Sequence, residues 1–254
     1  MAGEEENRKK TGRALLDKEA YRNNYWRLGF RSRLYDLFTP RAYTESLSRA
    51  AALVPDAGLC LDAGCGSGQL IPLLARRGES CPLYLGADKL AEGLARARER
   101  AGRACFLRWD LTAETPFAAA SIDVVVAHFS IYTLDDPPAR LMAWRNLFEL
   151  TRPGGQLIAA NPSTHYSAET IIEHSLNSEQ VQRGPLIAWL KRVFIAPITR
   201  HLGLAYIQRQ LEEGGFHAYT PETFSAEVES AGWRVKAVEP VYAGSGILLT
   251  ARRP

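Results

Sequence analysis

Leu59-Cys60-Leu61-Asp62-Ala63-Gly64-Cys65-Gly66-Ser67-Gly68-Gln69 decides the reading of this chain. A short apolar run reads as a strand, the acid at Asp62 ends it, and three glycines at alternate positions lead into a helical stretch from Gln69 to Arg77. Glycines in that place let backbone approach a ligand and turn where side chains forbid it. Open α/β sheets bind their ligands at this carboxyl end of the strand. A dinucleotide fingerprint needs G-x-G-x-x-G, but Gln69 stands where its third glycine belongs, and no G-K-[ST] follows to make a phosphate loop. A βα turn without a ligand remains the plain alternative.

Outward from this turn, strands and helices alternate. Strands are predicted at Pro82 to Ala87, Cys105 to Arg108, Ile122 to Ala127 and Gln156 to Ala160. Between them lie helices from Ala91 to Arg100 and from Ala139 to Leu150, and Pro153-Gly154-Gly155 turns into the fifth strand. The Val-rich fourth strand suits the buried middle of a parallel sheet. Such alternation indicates βαβ units. Upstream, a helical pattern from Leu15 is interrupted at Pro40, and a second helix runs from Ala42 to Val54. Downstream, helices are expected over Ala168 to Gln182 and over Pro185 to Gln210, the latter interrupted by Pro197 and Gly203. A helix from Pro221 to Ser230, capped by Thr220, precedes two closing strands, Trp233 to Val241 and Gly246 to Ala251, spaced as an antiparallel hairpin.

Composition sets the bounds. The 254 residues carry 31 Lys and Arg against 28 Asp and Glu, a net +3, with 46% hydrophobic residues, as in ordinary globular proteins. That balance gives no field strong enough to argue for nucleic acid on its own, and a nucleic-acid partner is not expected. Cys60, Cys65, Cys81 and Cys105 form no CxxC pair, which points to buried free thiols, no metal site and a reducing compartment. A charged start, Met1 to Lys10, lacks the look of a secretory signal, and no apolar stretch is long enough to span a membrane, so a cytoplasmic protein is expected.

Leu61 to Gly68, LDAGCGSG, resembles the first motif of the class I S-adenosylmethionine-dependent methyltransferases, and the resemblance runs in order from about Leu59 to Ala160. It implies a Rossmann-like methyltransferase fold, α/β, with a seven-stranded mixed sheet and helices on both faces. It also implies S-adenosyl-L-methionine as cofactor, its methionine part held by the turn and its amino group near Asp62. The contact set so implied is Asp62, Ala63, Gly64, Cys65, Gly66, Gly68 and Gln69, then Asp88 and Lys89 after the second strand. Trp109, Asp110 and Leu111 follow the third strand, and His128 ends the fourth. Asp88 is suited to two ribose hydroxyls, because a carboxylate is acceptor-only with several lone pairs. The resemblance implies that Asp110 contacts the adenine amine, with Trp109 and Leu111 as apolar walls. Asp123 reads as a structural residue at the strand start.

Methyl transfer from a sulfonium is an in-line displacement that needs a positioned acceptor and at most a base. His128 is the first candidate base, since imidazole titrates near neutrality, with a hydrogen-bonded wall histidine as the plain alternative. His165 and Tyr166, after strand five, are candidates for lining the acceptor pocket or acting as base. No Asn-Pro-Pro-aromatic or Pro-Cys sequence follows strand four, which argues against amide, base-amine and cytosine acceptors. Tyr25, Trp26 and Tyr35 are candidates for an amino-terminal lid.

Residues 183–210 hold five basic residues (Arg183, Lys191, Arg192, Arg200, Arg209) and no acid, among large apolar groups including Trp189 and Phe194. A helical lid with a solvated basic face is expected, and a peripheral membrane contact is the alternative. The chain divides into a tail (1–14), a helical cap (15–55), a cofactor-binding core (56–160), a helical lid insertion (161–219) and a closing helix with two strands (220–254). The expected function is methylation of a small or lipophilic metabolite, oxygen first. The competing readings are a non-catalytic scaffold or activator subunit that binds the cofactor, and transfer of a group other than methyl.

Overall fold

The computed structural model describes residues 25–30, 36–56, 58–78, 82–100 and 104–254. One seven-stranded sheet runs through it in the order β3-β2-β1-β4-β5-β7-β6. The strands are β1 (Leu59–Ala63), β2 (Leu83–Asp88), β3 (Ala104–Arg108), β4 (Ile122–His128), β5 (Thr151–Pro162), β6 (Arg234–Val241) and β7 (Gly246–Arg252). β1 to β5 pair parallel, and β7 lies antiparallel between β5 and β6. The order reverses between β1 and β4, so the crevice that such sheets use for ligands opens over those two strands.

Alternation along the strands builds two cores. Leu61, Val125, Ala127, Leu157 and Leu249 face one side, where Trp144 and Leu147 of α4 (Pro137–Leu150) and Phe224 and Val228 of the closing helix Pro221–Ser230 cover them. Cys60, Val124, Val126, Ile158 and Leu248 face the other, under α1 (Arg41–Leu53) and α2 (Ile71–Ala75). The third helix, α3, spans Ala91–Arg100. Glu227 joins the α4 side of the sheet. It accepts from Trp144 Nε1 at 2.9 Å, Tyr219 Oη at 2.6 Å and Arg140 Nε at 3.0 Å.

Most expected elements stand within two residues of their predicted ends, but several readings need correction. Helix Gln69 to Arg77 is shorter, Ile71–Ala75. β5 starts at Thr151 and includes the Pro153-Gly154-Gly155 turn. Cys60 and Cys65 are buried as expected, whereas Cys105 is exposed, and Cys81 lies outside the described residues. Pro197 and Gly203 do not break their helix. After α5 (Ala168–Arg183), the segments Pro185–Leu190, Lys191–Ile195, Ala196–Ile198, Thr199–Leu204 and Ala205–Glu212 follow end to end. Lys191–Ile195 and Thr199–Leu204 are wide π turns, the geometry by which a helix carries a proline or a bulge without stopping.

Residues 1–24 and 31–35, and with them most of the upstream helix and Tyr35, lie outside the described residues. Among the described residues no helix is long and apolar enough to cross a membrane.

Candidate functional site

The turn after β1 is held by the neighbouring strand. Gly64 N–H and Cys65 N–H both donate to the Ala87 carbonyl, at 2.7 and 3.0 Å. Gly64 and Gly66 take φ of +82° and +50°, left-handed values that strain any side-chain residue. A Cβ on Gly64 would lie 2.3 Å from the Ser130 Cβ, so the turn presses directly against the end of β4. Phe30 covers it from the other side, 3.1 Å from where a Gly66 Cβ would stand.

Three carboxylates end three adjacent strands around this turn. Asp62 is 5% exposed and accepts the Tyr84 hydroxyl at 2.6 Å; burial, with a smaller push from Asp88, raises it to about 7. Asp88 receives Gly66 N–H on one oxygen (2.9 Å) and Leu90 N–H on the other (2.8 Å), and burial lifts its pKa against those bonds. Each of its oxygens keeps a lone pair for a ribose hydroxyl. Asp110 accepts Thr112 N–H and Oγ1 on Oδ1 alone. Ser130 Oγ, beside Gly64, is buried without a partner among the described residues. A glycine cradle, a buried carboxylate suited to an ammonium and a row of acceptors fit S-adenosylmethionine well.

The other expected contact residues divide. Ala63 and Cys65 are buried in the turn, and burial raises the Cys65 thiol so that it stays protonated. Gly68 is packed against Ala97 and Ile71. Gln69 turns away: its amide donates to Asp36 and Thr39 at 3.2 Å each, latching the amino-terminal segment to the turn. Lys89 gives its carbonyl to Arg108. Trp109 is buried against Phe117, with its indole N–H on the Glu114 carbonyl, so it builds the core under the loop. The carbonyl of Leu111 is held by Asn146 at 2.8 Å.

The three candidate bases stand in different settings. His128 is buried, its Nε2 2.9 Å from Ser46 Oγ, and burial alone lowers it to about 3, which keeps the imidazole neutral. His165 is exposed on the loop after β5. Tyr166 has a buried hydroxyl that faces Tyr242, Tyr132 and Tyr25, and burial raises its pKa so far that it remains a phenol.

Tyr166 belongs to a wall of rings over the crevice that the sequence reading missed. Phe129 packs at 5.0 Å from Tyr242 and 6.2 Å from Tyr132, Tyr132 at 5.1 Å from Phe216, and Tyr25 stacks on Tyr206 at 3.9 Å. Phe129 and Tyr242 hold left-handed backbone (φ +51° and +56°), a sign of a surrounding structure that over-determines them. Aromatics scattered over residues 129–242 give no periodic signal; only the fold gathers them. Tyr84 and Asn161 were missed for the same reason. Asn161 Oδ1 accepts Tyr132 N–H at 3.2 Å, and its Nδ2 has no partner among the described residues.

Residues 61–159 match the family model of the methyltransferase domain. A 2-phytyl-1,4-naphthoquinone methyltransferase of Thermosynechococcus vestitus is 28% identical over 203 residues, covering 79% of this chain and 83% of that protein. In fold, the chain is similar to an S-adenosylmethionine-dependent methyltransferase of Aquifex aeolicus (TM-score 0.54, 16% identity, 83% of this chain and 89% of that one). It is likewise similar to the N-methyltransferase NodS of Bradyrhizobium japonicum in complex with S-adenosylhomocysteine (TM-score 0.54, 14% identity, 83% and 85%).

Proposed function

From the premise that the chain belongs to the class I S-adenosylmethionine-dependent methyltransferases and acts on a small molecule, we propose that its acceptor is a lipophilic ring compound carrying an acidic hydroxyl, methylated at oxygen. The observation that carries this reading is the aromatic wall of Phe129, Tyr132, Tyr166, Tyr206 and Tyr242 beside the glycine turn. Flat rings favour a flat apolar partner, and buried phenols supply hydrogen-bond donors to its oxygen.

When bound, the cofactor supplies a methyl group already activated on a sulfonium. Asp62 holds the cationic amino end, Asp88 accepts the ribose hydroxyls and Asp110 the adenine amine. Tyr166, kept protonated by burial, donates to the acceptor oxygen and stabilises its anion, so the acceptor's own acidity provides the nucleophile. His128 stays neutral against Ser46 and fixes the end of β4 to α1. His165 is exposed on the loop after β5 and is assigned no step.

The naphthoquinone relative favours a second reading, in which a quinone-derived ring is the acceptor and the attacked atom belongs to the ring. Methyl-labelled cofactor offered to lipophilic phenols, reduced naphthoquinones and hydrophilic amines tests both. Label extracted with a phenol as its methyl ether supports oxygen transfer, and label on ring carbon supports the second reading. Transfer to hydrophilic amines alone would refute the lipophilic acceptor.

A further inference from the structure

The helical run after α5 is amphipathic with its apolar side turned outward. Eight of the twelve exposed large apolar side chains among the described residues fall within residues 181–198. Leu186 is 69%, Phe194 59% and Trp189 56% exposed, with Leu190, Val193 and Ile198 beside them. The buried side of the same run holds Ala188 and Thr199, and Lys191 reaches inward to Glu179 at 2.7 Å. A surface cluster of this kind marks an interaction site, because folding alone would place Trp and Phe inside and Lys and Thr outside.

Charge identifies the partner. Residues 183–210 carry five cations and no acid, so the rest of the chain nets about −2. Lys191 and Arg183 reach Glu179, and Arg200 reaches Glu169, while Arg192 and Arg209 form no ion pair with a described residue. Exposed Trp and Phe flanked by arginines match the boundary between anionic headgroups and acyl chains. Because Pro197 and Gly203 leave the run unbroken, apolar groups spread over its length can meet one plane together. We propose that residues 181–198 dock this protein on an anionic lipid bilayer, with Trp189 and Phe194 in the interfacial layer and Arg192 at the headgroups. The surface stands independently of the acceptor reading, since it requires only exposure and charge.

The test uses the full chain with vesicles of phosphatidylcholine alone and of phosphatidylcholine mixed with phosphatidylglycerol. Co-sedimentation should require phosphatidylglycerol and weaken with salt. The double variant Trp189→Ser/Phe194→Ser should bind at least about tenfold more weakly. Arg192→Glu, which changes the charge by two, should lose roughly thirtyfold. Met142→Ser, which removes an exposed apolar group on α4, should bind as the parent does. Cofactor affinity measured in parallel shows that each variant is folded. Binding indifferent to lipid charge, or unchanged in the double variant, would overturn the proposal. So would a stable dimer that the double variant splits in the absence of vesicle binding, because the face would then belong to a second copy.

Discussion

Asp62→Asn exposes the conflict between stability and cofactor binding in this site. In the folded chain Asp62 is raised from 3.8 to about 7, chiefly by burial. A carboxyl raised on folding contributes stability that is fully present below its unfolded pKa and lost as pH climbs through the folded one. The whole loss is at most ~4 kcal/mol, of which ~1.7 kcal/mol has already gone at pH 5. Asparagine keeps an oxygen to accept the Tyr84 hydroxyl, and whatever else the exchange costs is independent of pH. The stability of the variant relative to the parent should therefore rise by about 2–3 kcal/mol between pH 5 and pH 8 and then level off. Urea unfolding of both cofactor-free proteins across that range reads the difference directly. S-adenosylmethionine should stabilise the parent, increasingly so toward pH 8, and leave the variant nearly unmoved, because an ammonium beside Asp62 favours the carboxylate. A pH-independent difference, or one that shrinks as pH rises, would refute the reasoning that Asp62 is a buried acid awaiting a cation.

Other sites give sharper or simpler outcomes. Gly64→Ala places a Cβ 2.3 Å from Ser130 at φ +82°, and should cost about 1–2 kcal/mol in backbone strain alone and weaken cofactor binding at least ~tenfold by calorimetry. Tyr166→Phe should lower kcat/KM for the acceptor by roughly tenfold or more with the cofactor Kd unchanged, since it removes one donor to the acceptor oxygen. Because burial holds His128 near 3, the parent's rate profile should show no imidazole limb near 6.5. Such a limb, abolished in His128→Asn, would restore it as the base. Glu227→Ala leaves the Arg140 guanidinium, 4% exposed, without its carboxylate, and should cost about 3–5 kcal/mol in chemical unfolding.

Local patterns carried the sheet into view before any coordinates. Strand ends and caps are short-range features, so the Thr220 cap, with its side chain on Thr223 N–H, and the Val-rich β4 were legible from composition and spacing. The motif from Asp62 to Gly68 was legible because its glycines answer a backbone demand made within seven residues. What the sequence concealed depends on distant chain. The packing of Trp109 on Phe117 and Glu114, and the bonds of Gln69 to Asp36 and Thr39, could not be read from their own neighbourhoods. His128 looks titratable in one dimension and is a buried neutral ring in three. The aromatic wall joins residue 25 to residue 242, and no window along the chain could have shown it. Pro197 and Gly203 misled for the opposite reason: local rules forbid what two π turns permit.

The proposed reaction is methyl transfer from S-adenosylmethionine to a lipophilic acceptor held by Tyr132, Tyr166 and Tyr242. Its most direct measurement is product analysis with methyl-labelled cofactor and a lipophilic phenol, in the parent and in Tyr166→Phe. The expected result is S-adenosylhomocysteine and organic-extractable labelled product in equal amounts, formed more slowly by the variant. Methylthioadenosine in place of S-adenosylhomocysteine, or label that never leaves the aqueous phase, would contradict it.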